Sequence, residues 1–297
     1  MSSKYIKLFQ THSEYTAFTS TADFILPNVS YCKDQTDVVH YNPFVDYSND
    51  YLTFIALDSG SFTWQIDASE TPKTISYSTD EGQTWTQLTA VQNPTPINMA
   101  AGDRIMFKGE IGSTYDDVYG RAASFKFNLP VDVQGNIMSL INGDNFAGVT
   151  TLTSDNTFNS LFYQTNISGH DGIVNAKNLI LPATTLTSRC YSGLFGNNND
   201  LTSAPNLPAT TLAEYCYDYM FGSCESLTTA PNLPATTLAE GCYDGMFSDC
   251  TSLTQEANIP DQLVPLSDTY CYAMYCNCPI TTHNGKYDEG AYGCPMG

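Results

Sequence analysis

The residues able to do chemistry are few and dispersed. Cys271, Cys276, Cys278, Cys294 and His283 crowd the C-terminal end. Zinc takes thiolate and imidazole ligands, usually from C-x2-C pairs, whereas here the spacing is C-x4-C-x-C. A zinc site, a Cys276–Cys294 clip and a cap carrying free thiols are all compatible with that end. Asp116 and Asp117, beside Tyr115 and Tyr119, could hold calcium in a loop, but no EF-hand spacing surrounds them and a solvated loop is the better reading. His12, His40, His170 and His283 are scattered, and none stands in a nucleophile motif such as G-x-S-x-G. The expectation is a chain with no catalytic residue, no metal and no cofactor.

One local motif is sharper. Ser78-Thr-Asp80-Glu-Gly82-Gln-Thr84-Trp85 resembles the Asp-box of sialidase propellers. The resemblance implies a tight hairpin turn with the indole tucked under it, a structural device. A sialidase also needs several arginines around a carboxylate, and this chain offers Arg104, Arg121 and Arg189 alone.

The elements that would position any site come from a chain of 297 residues, room for two or three domains. With 11 basic and 31 acidic residues the formal charge is −20, which repels phosphate backbones and anionic lipid. Nucleic acid is therefore excluded as a partner. Membrane insertion is excluded too, because no stretch of about 18 apolar residues occurs. Neutral glycans, cationic surfaces and protein subunits remain. The 20 tyrosines suit sugar stacking or packing between subunits, though tyrosine is also an ordinary strand residue. The opening Met-Ser-Ser-Lys-Tyr-Ile-Lys-Leu has neither a long apolar core nor a cleavage site, so no signal peptide is expected. A bacterial adhesin must be exported, whereas a phage structural protein is assembled in the host cytoplasm. On that ground the virion is favoured as the location and the bacterial cell surface is the alternative.

Internal repetition organises the second half. Leu181-Pro-Ala-Thr-Thr-Leu186 returns from Leu207 and from Leu233, each time after 26 residues. Cys190-Tyr191, Cys216-Tyr217 and Cys242-Tyr243 keep that step, as do Phe195, Phe221 and Phe247. A looser copy follows at Cys271 and Tyr272, and a degenerate one precedes at Phe158 and Phe162. A fixed period of this size predicts a solenoid whose units bury their apolar faces by stacking. These eleven residues, from Cys190 to Tyr272, form its expected core ladder. Apolar residues at Leu212, Cys216, Tyr217, Met220, Phe221 and Cys224 predict a helix in each unit. Thr211 with Glu214, and Thr237 with Glu240, would cap it. Ser226 to Ala230 reads as a short strand ended by Pro231. Cysteines in register with a core column read as buried free thiols.

The units Ala-Thr-Thr-Leu-Ala-Glu-x-Cys-Tyr-x-x-Met-Phe-x-x-Cys resemble the BspA-like leucine-rich repeats of gut Bacteroidales proteins and their phages, over roughly residues 150–280. The stretches beginning at Tyr51, Ile75 and Gly135 resemble the β-domain that often precedes such repeats. Pro27-Asn-Val-Ser-Tyr-Cys32 with Val39-His-Tyr-Asn-Pro43 is similar to leading segments of phage appendage proteins. The resemblance implies a non-enzymatic binding protein for host surfaces, or a virion appendage whose first module docks it to other virion proteins or to sister chains.

The expected fold is thus a multidomain α+β chain. It comprises an N-terminal docking or oligomerisation module (1–45), a β-sandwich of immunoglobulin-like or jelly-roll type (46–140), a leucine-rich solenoid with short helices (141–280) and a C-terminal cap (281–297). Strands are expected at 52–57, 61–66, 74–78, 84–88, 104–108, 123–127 and 131–137. The candidate ligand face consists of Thr202, Ser203, Thr228, Thr229, Thr254 and Gln255 on the strand side, with Tyr215 and Tyr219 on the helix side. The expected partner is a host surface glycan or protein, met by a homo-oligomer, with a trimer favoured by analogy with fibres.

Overall fold

A computed structural model describes residues 7–9, 30–33, 39–41, 46–66, 71–112, 123–165, 172–280 and 285–293. The chain divides into two compact units, Met1–Tyr47 and Ser48–Gly297. In the first, β1 (Lys7–Phe9) runs parallel to β2 (Ser30–Lys33), and β3 (Val39–Tyr41) pairs antiparallel with β2. Asp116, Asp117, His12, His170, His283 and Cys294 lie outside the described residues.

The second unit is a mixed α+β fold dominated by two sheets, with few helices. One sheet has the order β12-β11-β4-β9-β6-β7. Its strands are β4 (Leu52–Ala56), β6 (Thr74–Ser78), β7 (Thr86–Thr89), β9 (Arg104–Gly109), β11 (Pro130–Asn136) and β12 (Gly172–Ile180). The other has the order β10-β5-β8, from β5 (Gly60–Gln65), β8 (Ile97–Met99) and β10 (Ser124–Asn128). Every pairing is antiparallel except β11 with β12. Alternation sends Phe62 and Trp64 of β5 inward, against Phe54 and Phe107 of the larger sheet. Phe54 and Phe62 meet edge to face at 5.9 Å, and Phe107 meets Phe125 at 5.0 Å. The seven expected strands form within a few residues of their predicted bounds; β8 and β12 were not foreseen.

After residue 150 the backbone winds into stacked coils. The N–H groups of Arg189, Tyr191, Gly193, Phe195 and Asn197 donate to the carbonyls of Glu214, Cys216, Asp218, Met220 and Gly222 in the next coil. The intervening Cys190, Ser192, Leu194 and Gly196 donate three residues back along the same coil. Alternate amides thus point along the stack and around it. The expected helices do not form: residues 214–223 are consecutive turns, and the cap pairs Thr211/Glu214 and Thr237/Glu240 have no helix to cap. Apolar positions at Leu212, Cys216, Met220 and Cys224 recur every four residues. A true helix would drift by about 40° at each such step, whereas a four-residue turn returns to the same direction. Each turn is closed by a left-handed residue, at Arg189, Gly193 and Asn197, then Tyr215, Tyr219 and Ser223, then Gly241, Gly245 and Asp249. The expected strand from Ser226 to Ala230 is also absent; that segment is irregular.

Packing follows the coil step. Phe195, Phe221 and Phe247 stack at 5.4 and 5.7 Å with planes within 4°. The column extends through Phe162 to Phe125 of β10 at one end, and through Tyr275 to Tyr292 at the other. Phe158, Tyr191, Tyr217 and Tyr243 make a second column. Buried rings of this size contribute roughly 1.5–3 kcal/mol each, so these columns are a principal source of the stack's cohesion. β12 joins the stack to the large sheet: it pairs with β11 on one side, while Thr202 and Ala176 N–H groups bond across to Val174 and Ser203 on the other.

The last coil corrects the expected ladder. Tyr243 N–H donates to Tyr270 O and Phe247 N–H to Met274 O, a step of 27 that sets Cys271 beneath Tyr243 and Tyr275 beneath Phe247. Cys271 therefore fills a tyrosine's place, and Tyr272, expected in the core, is 47% exposed. The remaining ladder residues, Cys190, Tyr191, Phe195, Cys216, Tyr217, Phe221, Cys242, Tyr243 and Phe247, are all buried.

A second cysteine column has a defined task. Cys224, Cys250 and Cys278 each aim Sγ at the carbonyl of Phe195, Phe221 and Phe247 in the coil before, at 3.3, 3.1 and 2.9 Å. In the first coil Asn198 does the same with its amide, donating to Phe162 O at 2.9 Å. Cysteine suits the place as a small apolar group with one weak donor.

Candidate recognition face

The outward side chains of the turns are set by the left-handed residues. A side chain in that conformation is disfavoured by roughly 1 kcal/mol, yet Arg189, Tyr215 and Tyr219 all adopt it, with φ of 54°, 53° and 48°. Each directs a long side chain onto the following coil. Tyr215 lies against Gly241: a Cβ there would sit 2.2 Å from its Cε1. Tyr219 lies against Gly245 in the same way, at 2.6 Å from Cζ, and Tyr163 against Gly196 at 2.5 Å from Cδ2. Glycine in one coil is the seat for tyrosine in the coil before.

Arg189 covers Tyr215, with Cζ 4.2 Å from the ring centroid, and its Nη1 lies 3.5 Å from Asp218 Oδ2. Ser192 Oγ donates to the same Asp218 oxygen at 3.3 Å. Burial pushes the Asp218 carboxyl up to about 6, and Asp244 one coil on adds to the rise, although Arg189 opposes it. Asp244 is itself raised, first by burial and then by the charge of Glu240; the Tyr272 N–H donating to Asp244 Oδ1 at 2.8 Å works the other way.

Beyond Tyr215 the surface sinks into an open groove of about 540 Å³ lined by Tyr215, Glu240, Asp244, Asp268, Thr269 and Tyr272. Tyr215 donates its hydroxyl to Glu240 Oε1 at 3.2 Å. Among the described residues no lysine or arginine pairs with Glu240, Asp244 or Asp268. The groove therefore presents acceptors and rings to the solvent, a surface for donors and cations.

Of the residues singled out from the sequence, Tyr215 lines this groove and Tyr219, 45% exposed, lies beside it on Gly245. Thr202, Thr228, Thr229, Thr254 and Gln255 are exposed and Ser203 is half-buried. They do not assemble into strands; Thr202 Oγ1 instead donates to Val174 O at 3.0 Å. Asp268, Thr269 and Tyr272 were missed, because their place depends on the irregular last coil. The signal available was the acidic column Glu214, Glu240 and Asp268, spaced 26 and 28 residues apart.

The Ser78–Trp85 segment forms the expected turn. Asp80 Oδ1 accepts from Ser78 Oγ and Thr84 N–H at 2.7 and 2.9 Å, and Oδ2 accepts from Thr84 Oγ1 at 2.6 Å. The Thr84 bonds chiefly hold its carboxyl down to about 2. Trp85 Nε1 donates to Gly82 O at 3.1 Å, and the indole lies edge-on to Tyr51 with Lys108 Nζ 4.3 Å from its centroid. At the C-terminal end Cys276 is disulfide-bonded. Cys190, Cys216, Cys224, Cys242, Cys250, Cys271 and Cys278 are free thiols. No group of three or more metal-ligating side chains occurs among the described residues, and no described helix is long and apolar enough to cross a membrane.

Compared with known proteins, the chain matches no family model, no curated protein and no solved structure.

Proposed function

We propose that this chain is a non-enzymatic recognition protein. In this reading a leucine-rich-repeat solenoid of the BspA-like kind is carried on a β-sandwich and displayed on a phage virion as part of a head or tail fibre. One observation carries the recognition role. The inward residues of the coils are consumed by packing and by coil-to-coil hydrogen bonds, while the outward turns seat large tyrosines beside carboxylates that no lysine or arginine among the described residues pairs. Such rings offer broad contact area at low conformational cost. The placement on a virion rests on the resemblance of the repeats and of the leading segment to phage appendage proteins. The N-terminal module then docks to other virion proteins, the chains associate as a homotrimer, and the outward faces meet a host surface glycan or protein. Many weak sites per particle act together through effective concentration.

A bacterial cell-surface adhesin of the same repeat family is the second reading. The disulfide at Cys276 favours it, since such bonds persist in oxidising compartments. Antibody labelling of purified particles against cell envelopes separates the two. Particles carrying Tyr219→Ala with Tyr272→Ala are expected to attach to host cells at least about tenfold less well. Unchanged attachment would remove the recognition role.

A further inference from the structure

The groove resembles, one coil further on, an arrangement the chain already fills with its own cation. Between the first two full coils, Arg189 lies over the Tyr215 ring and reaches the carboxylate of Asp218. The 26-residue step carries Asp218 to Asp244 and Arg189 to Tyr215, so the next interval has the carboxylate without an arginine to meet it. A further step brings Tyr215 to Gly241, which contributes no side chain toward the last coil, and the groove is lined by Glu240 and Asp244 on this coil and by Asp268, Thr269 and Tyr272 on the next. Tyr215 and Tyr272 both line it; Arg189 already covers the Tyr215 ring, so the exposed Tyr272 supplies the aromatic face, and the acceptors are Glu240, Asp244 and Asp268. We infer that this groove takes a guanidinium group presented by a partner polypeptide, an arginine side chain laid against tyrosine and forked onto the carboxylates.

The chemistry favours guanidinium over other donors. It is planar and weakly hydrated, stacks on an aromatic face and offers paired N–H groups to carboxylate oxygens. An ammonium ion can match the charge but not the stacking. A neutral sugar can use the acceptors, yet leaves three carboxylates near one another uncompensated. The raised Asp244 carboxyl is consistent with that crowding, with burial its first cause and Glu240 its second. At an open site the ring contact and each ion pair are individually weak. A single site is then expected in the millimolar range, useful where many copies act together.

This inference rests on the recognition reading and refines it. The test titrates the full chain with capped Gly-Arg-Gly peptide, with its citrulline analogue and with the lysine analogue, followed by ligand-observed NMR. The arginine peptide is expected to saturate, the citrulline peptide to bind at least about tenfold more weakly, and the lysine peptide to fall between. Raising salt from 50 to 500 mM should weaken the arginine peptide several-fold. Asp244→Asn keeps an acceptor for the Tyr272 N–H, and Tyr272→Ala removes an exposed ring; each should reduce binding about fivefold or more, with circular dichroism and thermal midpoint unchanged. Equal binding of citrulline or lysine, or wild-type binding by both variants, would overturn the assignment. Attachment of the same variants to host cells separates the two ideas. Attachment lost by the variants while the wild-type chain shows no arginine preference removes only the guanidinium, and attachment retained by Tyr219→Ala/Tyr272→Ala while the wild-type chain prefers the arginine peptide removes the recognition role.

Discussion

The ring of Tyr215 rests on Gly241 so closely that a methyl group on that glycine would lie 2.2 Å from Cε1 and 2.4 Å from Cδ1. Gly241 also sits at φ +60°, a conformation that costs an L-residue energy on its own. Gly241→Ala should therefore destabilise the chain by about 1–3 kcal/mol in urea unfolding. Adding Tyr215→Ala removes the clash but not the backbone strain, so the double variant should lose less than the two single losses combined.

The phenylalanine column makes a larger prediction. Phe221 is fully buried between Phe195 and Phe247. Truncation leaves a void bounded by two rigid rings that cannot close on each other, because the backbone hydrogen bonds fix their spacing. Phe221→Ala should cost about 3–5 kcal/mol, read as a fall in the urea midpoint. Phe221→Leu should cost clearly less.

Asp218 gives a pH dependence with a definite sign. Its folded carboxyl titrates at about 6, above the ordinary carboxylate value, chiefly because it is buried. The folded chain then holds this proton more tightly than the unfolded chain, so its contribution to stability is greatest below about pH 4. It is lost as the pH rises through about 6. The amount is about 1–3 kcal/mol. Other carboxylates titrate in the same range, so the check is a difference. Asp218→Asn should lose less stability than wild type between pH 4 and pH 7, in parallel chemical denaturations.

The thiols should be inert while the coils are closed. Burial pushes Cys190 and Cys242 up to about 12 and raises Cys216, Cys224 and Cys250 as well. Thiolate is the reactive form. Reaction with a disulfide reagent at pH 8 should be at least about 100-fold slower in the native chain than in urea, because it must wait for the coils to open. Rapid native reaction at Cys224 or Cys250 would show that the Sγ bonds to Phe195 and Phe221 carbonyls do not hold in solution.

The sequence was most legible where a local pattern had only one physical solution. Thr74–Ser78 alternates and ends at the Asp-box, and the strand and its turn form as read. The buried ladder was legible from its 26-residue recurrence, because only stacking can bury Tyr191, Tyr217 and Tyr243 together. Backbone conformation within a coil was not. Spacings of three and four residues suit a helix, and the strict interval of four that marks a run of turns is only slightly different. Gly172–Ile180 carries Asn175, Lys177 and Asn178 without clean alternation, so its strand was hidden until its two neighbours supplied the bonds. Tyr272 was misplaced by a slip of one residue in the last coil. The groove drew on that same coil and so was not foreseen whole.

The coil step between Phe195, Phe221 and Phe247 is a constant 26 residues, while the junctions on either side, from Phe162 and to Tyr275, take 33 and 28. The irregular joints are fitted to the sheet and to the closing segment; the interior ones are interchangeable. Duplicating or deleting one interior unit would therefore change the molecule's reach by roughly 5 Å, close to the spacing between paired strands. Its two ends would stay as they are, so such a chain can vary in length by genetic recombination among its own repeats.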